Sequence, residues 1–204
     1  MSARGREIVL ASGSRARREM MAAAGVPFTV QAADVDEPAI RARLFRDDKH
    51  IGPKKVAEVL AIAKAEDVSS KRKGSVIIGA DQVLALDDEL LSKASSIESA
   101  RETLQRLRGR THELHSAVAF AEEGKANFTH VATARLTMRD FSDGFLDDYL
   151  TRAADRVTQT VGAYELEGLG IQLFEQIEGD YFTILGLPLL PVLAELRWRG
   201  IVAT

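Results

Sequence analysis

Hydrophobic positions fall in short runs bounded by Gly, Pro, Ser or Asp, and the spacing inside the runs switches between strand and helix periods along the chain. Glu7 to Ala11 reads as a short buried strand. Ser12-Gly13-Ser14 then supplies turn and N-cap chemistry for a helix from about Arg15 to Ala24, which Gly25 and Pro27 end. Phe28 to Ala33 reads as a second strand. After Pro53, Val56, Val59, Leu60 and Ala63 repeat at the helical period, and the polar stretch Glu66 to Ser75 reads as a solvated connection to a strand over Val76 to Leu86. Ile97, Ala100, Leu104 and Leu107 mark a further helix closed by Gly109. Leu114 to Ala121 and Asn127 to Met138 read as an antiparallel pair turning at Glu122-Glu123-Gly124. Phe141, Phe145 and Tyr149 lie four apart, as on one helix face, before a strand from Gly170 to Glu175 and a helix from about Leu189 to Arg199. Helices and strands interleave from end to end, which predicts an α/β fold with a mixed sheet.

Composition narrows the function classes. The chain has 204 residues, 46% of them hydrophobic, and no fixed repeat or low-complexity linker divides it, so a single domain over residues 1–204 is expected. It holds no cysteine, which excludes a disulfide framework, a cysteine zinc site and thiol catalysis. The basic N-terminus leads into only a very short apolar run, and the most apolar stretch, Ile184 to Leu196, is interrupted by Pro188, Pro191 and Glu195. Neither a signal peptide nor a membrane span is expected, and a cytoplasmic location is. Lys and Arg total 27 against 30 Asp and Glu, a net charge of −3. That balance argues against binding polymeric nucleic acid but leaves room for a small polyanion, for which a few local cations suffice.

Three groups of residues could carry chemistry. Ser12 to Arg18 would place backbone N–H groups, a helix dipole and three arginines at one point, which suits a phosphate; the alternative is a plain cap with surface arginines. Asp81, in Gly79-Ala80-Asp81-Gln82-Val83, follows the apolar Val76-Ile77-Ile78 where α/β sheets bind ligands. It is either a metal ligand or general base, or a turn residue before Val83. The acids Asp34, Asp36, Glu37, Glu165 and Glu167 matter only if some of them converge with cations such as Lys64 and Lys93, since Mg²⁺ binds through one or two carboxylates plus substrate phosphates. A Walker loop, a dinucleotide G-x-G-x-x-G, a G-x-S-x-G elbow and a His-Glu-x-x-His helix are all missing from the sequence. His112 and His115 fall on opposite faces of a strand, which disfavours a zinc site.

In order along the chain, these segments resemble the Maf family of nucleoside triphosphate pyrophosphatases. Leu10 to Arg17 is similar to its L-A-S-x-S-P-R-R, Val35-Asp36-Glu37 to V-D-E, Leu60 to Ala65 to L-A-x-x-K-A, and Gly79-Ala80-Asp81 to G-A-D. Ser92-Lys93-Ala94 stands where G-K-P is usual, and Gly109 to His112, Gly162 to Tyr164, Glu178 to Tyr181 and Gly186 to Pro188 match G-R-T-H, G-A-Y, E-G-D-Y and G-L-P. The resemblance implies a mixed twisted sheet flanked by helices, like that of inosine triphosphate pyrophosphatases, elongated and with a cleft. It also implies cleavage of a nucleoside triphosphate between the α and β phosphates with a divalent cation, Mg²⁺ or Mn²⁺, and makes a homodimer reasonable. It gives Asp81 the proton-acceptor role, Glu37 and Asp81 the metal, and Ser12, Arg17, Lys64 and Lys93 the phosphates. Gln82, and Glu167 where Gln is usual, resemble the branch acting on 7-methyl-GTP. A dTTP/UTP or broad activity, or a nucleotide-binding regulator of septum formation, are the alternatives. The chain departs from the pattern at Arg15 and Ala94, both Pro in the family, and at Ala16, where the branches carry Arg or Trp and where Ala would open the base pocket or shift base stacking elsewhere.

Overall fold

The computed structural model describes residues 6–87 and 89–203. Met1 to Gly5, read above for targeting signals, lie outside the described residues. The chain divides into two compact units, one holding the residues up to Gln82 with Ser116–Ala132 and Tyr181 onward, the other holding Val83–His115 and Thr133–Asp180. The elements are β1 (Ile8–Ala11), α1 (Arg15–Ala23), β2 (Thr29–Val30), α2 (Glu37–Asp47), α3 (Pro53–Lys71), β3 (Val76–Leu86), β4 (Glu89–Leu91), α4 (Ile97–Leu107), β5 (Thr111–Glu122), β6 (Lys125–Met138), α5 (Asp143–Ala153), β7 (Phe174–Glu178), α6 (Tyr181–Ile184) and α7 (Leu189–Trp198). Short 3₁₀ turns occupy 154–158, 161–163 and 169–173. The strands form one mixed sheet in the order β2-β1-β3-β5-β6-β7, with β4 on β3, and helices flank it. The α/β expectation holds.

In the first unit, β1 runs parallel to β3 with Ile8 opposite Val76 and Ala11 opposite Gly79. Alternation sends Ile8, Leu10, Val76, Ile78 and Ala80 into one apolar cluster with Met20 and Met21 of α1, Phe120 of β5, and Val192 and Leu196 of α7. The other face of β3 meets α3. A Cβ placed on Gly79 would lie 2.4 Å from the Ala61 carbonyl oxygen and 2.6 Å from the Ala65 nitrogen. Only glycine lets the helix backbone come this close, and the small Ala57, Ala61 and Ala65 on the buried stripe of α3 complete the fit. The β5–β6 link is the expected hairpin, a two-residue turn with Glu123 at φ 51° and Gly124 at φ 80°.

In this unit two local expectations change and one helix is new. The polar stretch after Glu66 is not a connection at first: α3 continues to Lys71, because Lys71 pairs with Asp67 one turn earlier at 2.6 Å and Ser69 is buried against Gly124, whose N–H it accepts at 3.0 Å. The second strand shrinks to Thr29–Val30, exposed at the sheet edge. Helix α2, unpredicted, has no buried residue and so leaves no apolar period; its signals are the Asp36 N-cap and Pro38 in the first turn.

In the second unit the end of β3 turns back on β4, with Leu84 opposite Leu91, and β6 pairs antiparallel with β7. The last strand starts four residues later than its pattern suggested, because 169–173 close into a 3₁₀ turn. Phe141 precedes α5 rather than lying on it; Phe145 and Tyr149 are helical. His112 Nε2 meets the Tyr164 hydroxyl at 2.8 Å, and burial pushes the imidazole pKa down to about 4, so the ring stays neutral. His115 bonds Thr133 instead, at 3.0 Å. Among the described residues no helix is long and apolar enough to cross a membrane.

The Gly79 contact is directly testable. Gly79→Ala should lower the unfolding free energy by about 3 kcal/mol in urea denaturation, at the upper end of the usual cost of overpacking, since backbone atoms must move.

Candidate active site

Because β1 ends opposite Gly79, β3 continues past it without β1 on that side, and the chain leaving β1 turns at Ser12, which Arg17 ties to the Ala80 carbonyl. Asp81 is therefore mid-strand, not at a strand end, but it stands just beyond the carboxyl end of its neighbour, where α/β sheets open. The pleat gives consecutive residues opposite faces. Asp81 shares the face of Gly79 and meets α3. Gln82 faces the other way.

On the α3 face, Lys64 Nζ lies 2.6 Å from Asp81 Oδ1 and 2.8 Å from Glu37 Oε1, so one ammonium bridges a carboxylate from mid-β3 and one from the start of α2. Asp36 fixes where α2 starts by accepting the Ala39 N–H at 2.9 Å. Asp81 is only 4% exposed, and burial raises its carboxyl pKa, a rise that Lys64 and Arg17 oppose and Glu37 reinforces. Its Oδ2 is buried with no hydrogen-bond partner among the described residues. An unpartnered buried carboxylate oxygen is costly, so it marks a place prepared for a ligand or a proton.

Arg17, on the first turn of α1, is buried, and three of its five N–H donors are committed to the protein. Nε donates to the Gly186 carbonyl at 2.8 Å, and Nη1 donates to Ser12 Oγ at 3.0 Å and to the Ala80 carbonyl at 2.9 Å. The guanidinium thus ties the Ser12 turn, the peptide preceding Asp81 and the loop after α6. Ser14 caps α1 by accepting the Arg17 N–H at 3.4 Å. The basic residues of this segment do not act together: Arg15 pairs with Glu19 at 2.7 Å on the surface, and Arg18 is exposed.

On the opposite face Gln82 Nε2 donates to Ser116 Oγ at 2.9 Å, to the Thr183 carbonyl at 3.1 Å and to the Ile184 carbonyl at 2.9 Å. Two of those partners are backbone carbonyls that can only accept, which fixes the amide with nitrogen toward them. Ser116, Thr183 and Gly186 were not singled out from the sequence as site residues. Gly186 sits at φ 95°, and a Cβ there would lie 3.4 Å from the Arg17 guanidinium and 3.5 Å from Gln82 Oε1. Its glycine is the one signal of this contact that the sequence carries.

The first unit therefore brings Ser12, Arg17, Glu37, Lys64, Asp81 and Gln82 together. Lys93 and Glu167 belong to the second unit, Lys93 exposed just after β4 and Glu167 exposed in the turn at 166–168. Asp36 caps α2 through its carboxylate, and at Asp34 it is the backbone N–H that donates to Asp67 Oδ2, at 2.9 Å. Glu165 lies 3.8 Å from Arg156. Among the described residues no three His, Asp or Glu side chains gather for a metal. Glu37 and Asp81 do fit a hard divalent ion that completes its shell with substrate oxygens, given the unpartnered Oδ2 and the cation already drawn between them.

The family model for Maf-like protein matches residues 7–199. The chain belongs to the Maf-like family. It is 51% identical over 191 residues to the 7-methyl-GTP pyrophosphatase of Brucella suis, covering 94% of this chain and 95% of that protein. It is 48% identical over 196 residues to the 7-methyl-GTP pyrophosphatase of Mesorhizobium japonicum (96% of this chain, 98% of that one). It is 50% identical over 196 residues to the nucleoside triphosphate pyrophosphatase of Bradyrhizobium diazoefficiens (96% and 95%). The motifs quoted from the sequence are thus those of a Maf-like chain, and its Asp81, Lys64 and Glu37 form one bonded group.

Arg17 anchors this arrangement. Arg17→Met should cost about 2–4 kcal/mol of stability by leaving buried carbonyls unsatisfied, and Arg17→Lys should recover less than half of it, as read by denaturant melts.

Proposed function

We propose that this Maf-like chain acts as a single catalytic domain hydrolysing nucleoside triphosphates between the α and β phosphates, releasing a nucleoside monophosphate and pyrophosphate, with 7-methyl-GTP as its preferred substrate. The observation that carries the reading is the Asp81 carboxylate: buried, raised in pKa, held through Oδ1 by Lys64, and with Oδ2 unpartnered among the described residues. A carboxylate of raised pKa is a better proton acceptor than an ordinary one, and one engaged at a single oxygen keeps the other available for a proton. Asp81 Oδ2 takes the proton of the water that attacks the α phosphorus. The names of the three relatives support the reaction class, and two of them, in Brucella suis and Mesorhizobium japonicum, support 7-methyl-GTP as the substrate.

The remaining roles follow from chemistry. A divalent cation, Mg²⁺ or Mn²⁺, would be held by Glu37 and Asp81 and would neutralise phosphate charge and make a bound water more acidic. Lys64 and Lys93 compensate the charge that builds on the leaving pyrophosphate. Arg17 adds positive charge while its three protein bonds keep Ser12 and the Ala80 carbonyl in register with Asp81. Gln82, with Nε2 bound to three acceptors, reads the nucleotide through Oε1. Glu167 accepts from the guanine N1–H and N2 amine and favours the cationic methylated ring, whereas a glutamine suits a pyrimidine edge. Nucleotide is the only partner this chemistry requires; a homodimer and a cytoplasmic, house-cleaning role remain part of the proposal through the family resemblance.

Asp81→Asn tests the assignment, since it keeps shape and removes the proton acceptor. Measured without divalent cation, it should bind 7-methyl-GTP within a few-fold of wild type, while with Mg²⁺ present pyrophosphate release falls by at least about 10²–10⁴-fold, the usual worth of a general base. Undiminished turnover would remove Asp81 from the reaction. The same assay on 7-methyl-GTP, GTP, UTP, dTTP and 5-methyl-UTP should rank 7-methyl-GTP first, and a pyrimidine in that place would remove the role given to Glu167.

A further inference from the structure

Lys64 occupies an unusual position for a residue expected to hold phosphate. Its side chain is 14% exposed, and its ammonium contacts Asp81 Oδ1 at 2.6 Å and Glu37 Oε1 at 2.8 Å. These are the two carboxylates proposed to hold the divalent ion. Metal–oxygen distances are about 2.0–2.1 Å for Mg²⁺, so an ion bound by the same oxygens would lie within a few ångströms of the ammonium. A +1 and a +2 charge that close repel strongly even in a polar surrounding. The lysine stem has four carbons and can carry its charge elsewhere without moving α3. The carboxylates cannot follow it, since Asp81 is fixed in the sheet and Glu37 in the first turn of α2.

We infer that the Lys64 ammonium and the divalent cation are alternative occupants of the Glu37–Asp81 pair, and that uptake of the ion releases Lys64 to the phosphates of the substrate. The inference rests on the metal reading given under Proposed function and adds an order to it. Without the ion, Lys64 keeps two carboxylates from facing each other uncompensated and holds ion affinity down. A triphosphate or pyrophosphate supplies a new partner for the displaced ammonium and further oxygens for the ion. Ion and phosphate therefore bind cooperatively, and by linkage each tightens the other by the same factor.

Mn²⁺ binding to the substrate-free protein, followed by calorimetry and by the paramagnetic signal of free Mn²⁺, tests this in wild type, Lys64→Met and, should that variant not fold, Lys64→Gln. Without metal the variant should melt below wild type. Mn²⁺ should then raise its melting temperature more than it raises that of wild type, and the Mn²⁺ Kd should be at least about 5-fold tighter, the low end of measured coupling between sites. In wild type, inorganic pyrophosphate should tighten Mn²⁺ binding, and the variant should lose most of that coupling. Equal or weaker Mn²⁺ binding in the variant, with binding to wild type measurable, overturns the inference and leaves the metal reading intact. Mn²⁺ binding that is absent from every form, with or without pyrophosphate, or that survives undiminished in Glu37→Gln and Asp81→Asn, overturns the metal reading and the inference with it.

Discussion

The contact between α3 and β3 at Gly79 is the constraint from which the site follows. A helix normally keeps its axis about 10 Å from a sheet because side chains stand between them. Here one strand residue has no side chain and its neighbours on the helix are alanines, so backbone meets backbone. Lys64 lies between Ala61 and Ala65 on the same helix, and Asp81 lies two residues beyond Gly79 on the same strand face. Close approach at one point therefore brings an ammonium onto a carboxylate at the next. A larger residue at position 79 would push the strand and the helix, and with them this pair, apart.

Around that contact the sheet sorts tasks by face. The pleat turns Asp81 toward α3 and Gln82 toward Ser116 of β5 and the α6 carbonyls, so a carboxylate and an amide sit on adjacent residues without competing for partners. Arg17 works across this division. Its bonds to Ser12, the Ala80 carbonyl and the Gly186 carbonyl join the Ser12 turn and the loop after α6 to β3 itself. A buried guanidinium is costly to desolvate, and here Asp81 and Glu37 supply the compensating field. The charged groups of the site are in this sense one system, each partly neutralised by the next, which is why the near-neutral net charge of the chain says little about what it binds locally.

Much of the fold was legible in the sequence because it is written in short-range terms. The Ser14 cap, the hairpin at Glu123-Gly124, the buried strand after Ser75 and the helix after Pro53 all depend on neighbours within a few residues. Helix α2 was not legible because it buries nothing, and the end of α3 was misread because its polar residues are held in the helix by i,i+4 pairing and by a contact to the hairpin, 55 positions away. The candidate site was legible as a set of residues but not as a geometry. Lys64 and Asp81 are 17 positions apart, and nothing in their own segments says that they touch. Ser116 carries no motif at all; only the structure joins it to Gln82.

The proposed reaction is attack on the α phosphorus by a water that Asp81 deprotonates. Single-turnover hydrolysis of 7-methyl-GTP in H₂¹⁸O, with mass spectrometry of both products, measures this directly. One ¹⁸O atom in the nucleoside monophosphate and none in pyrophosphate is the expected result. Label in the pyrophosphate, or orthophosphate as the released product, would contradict it.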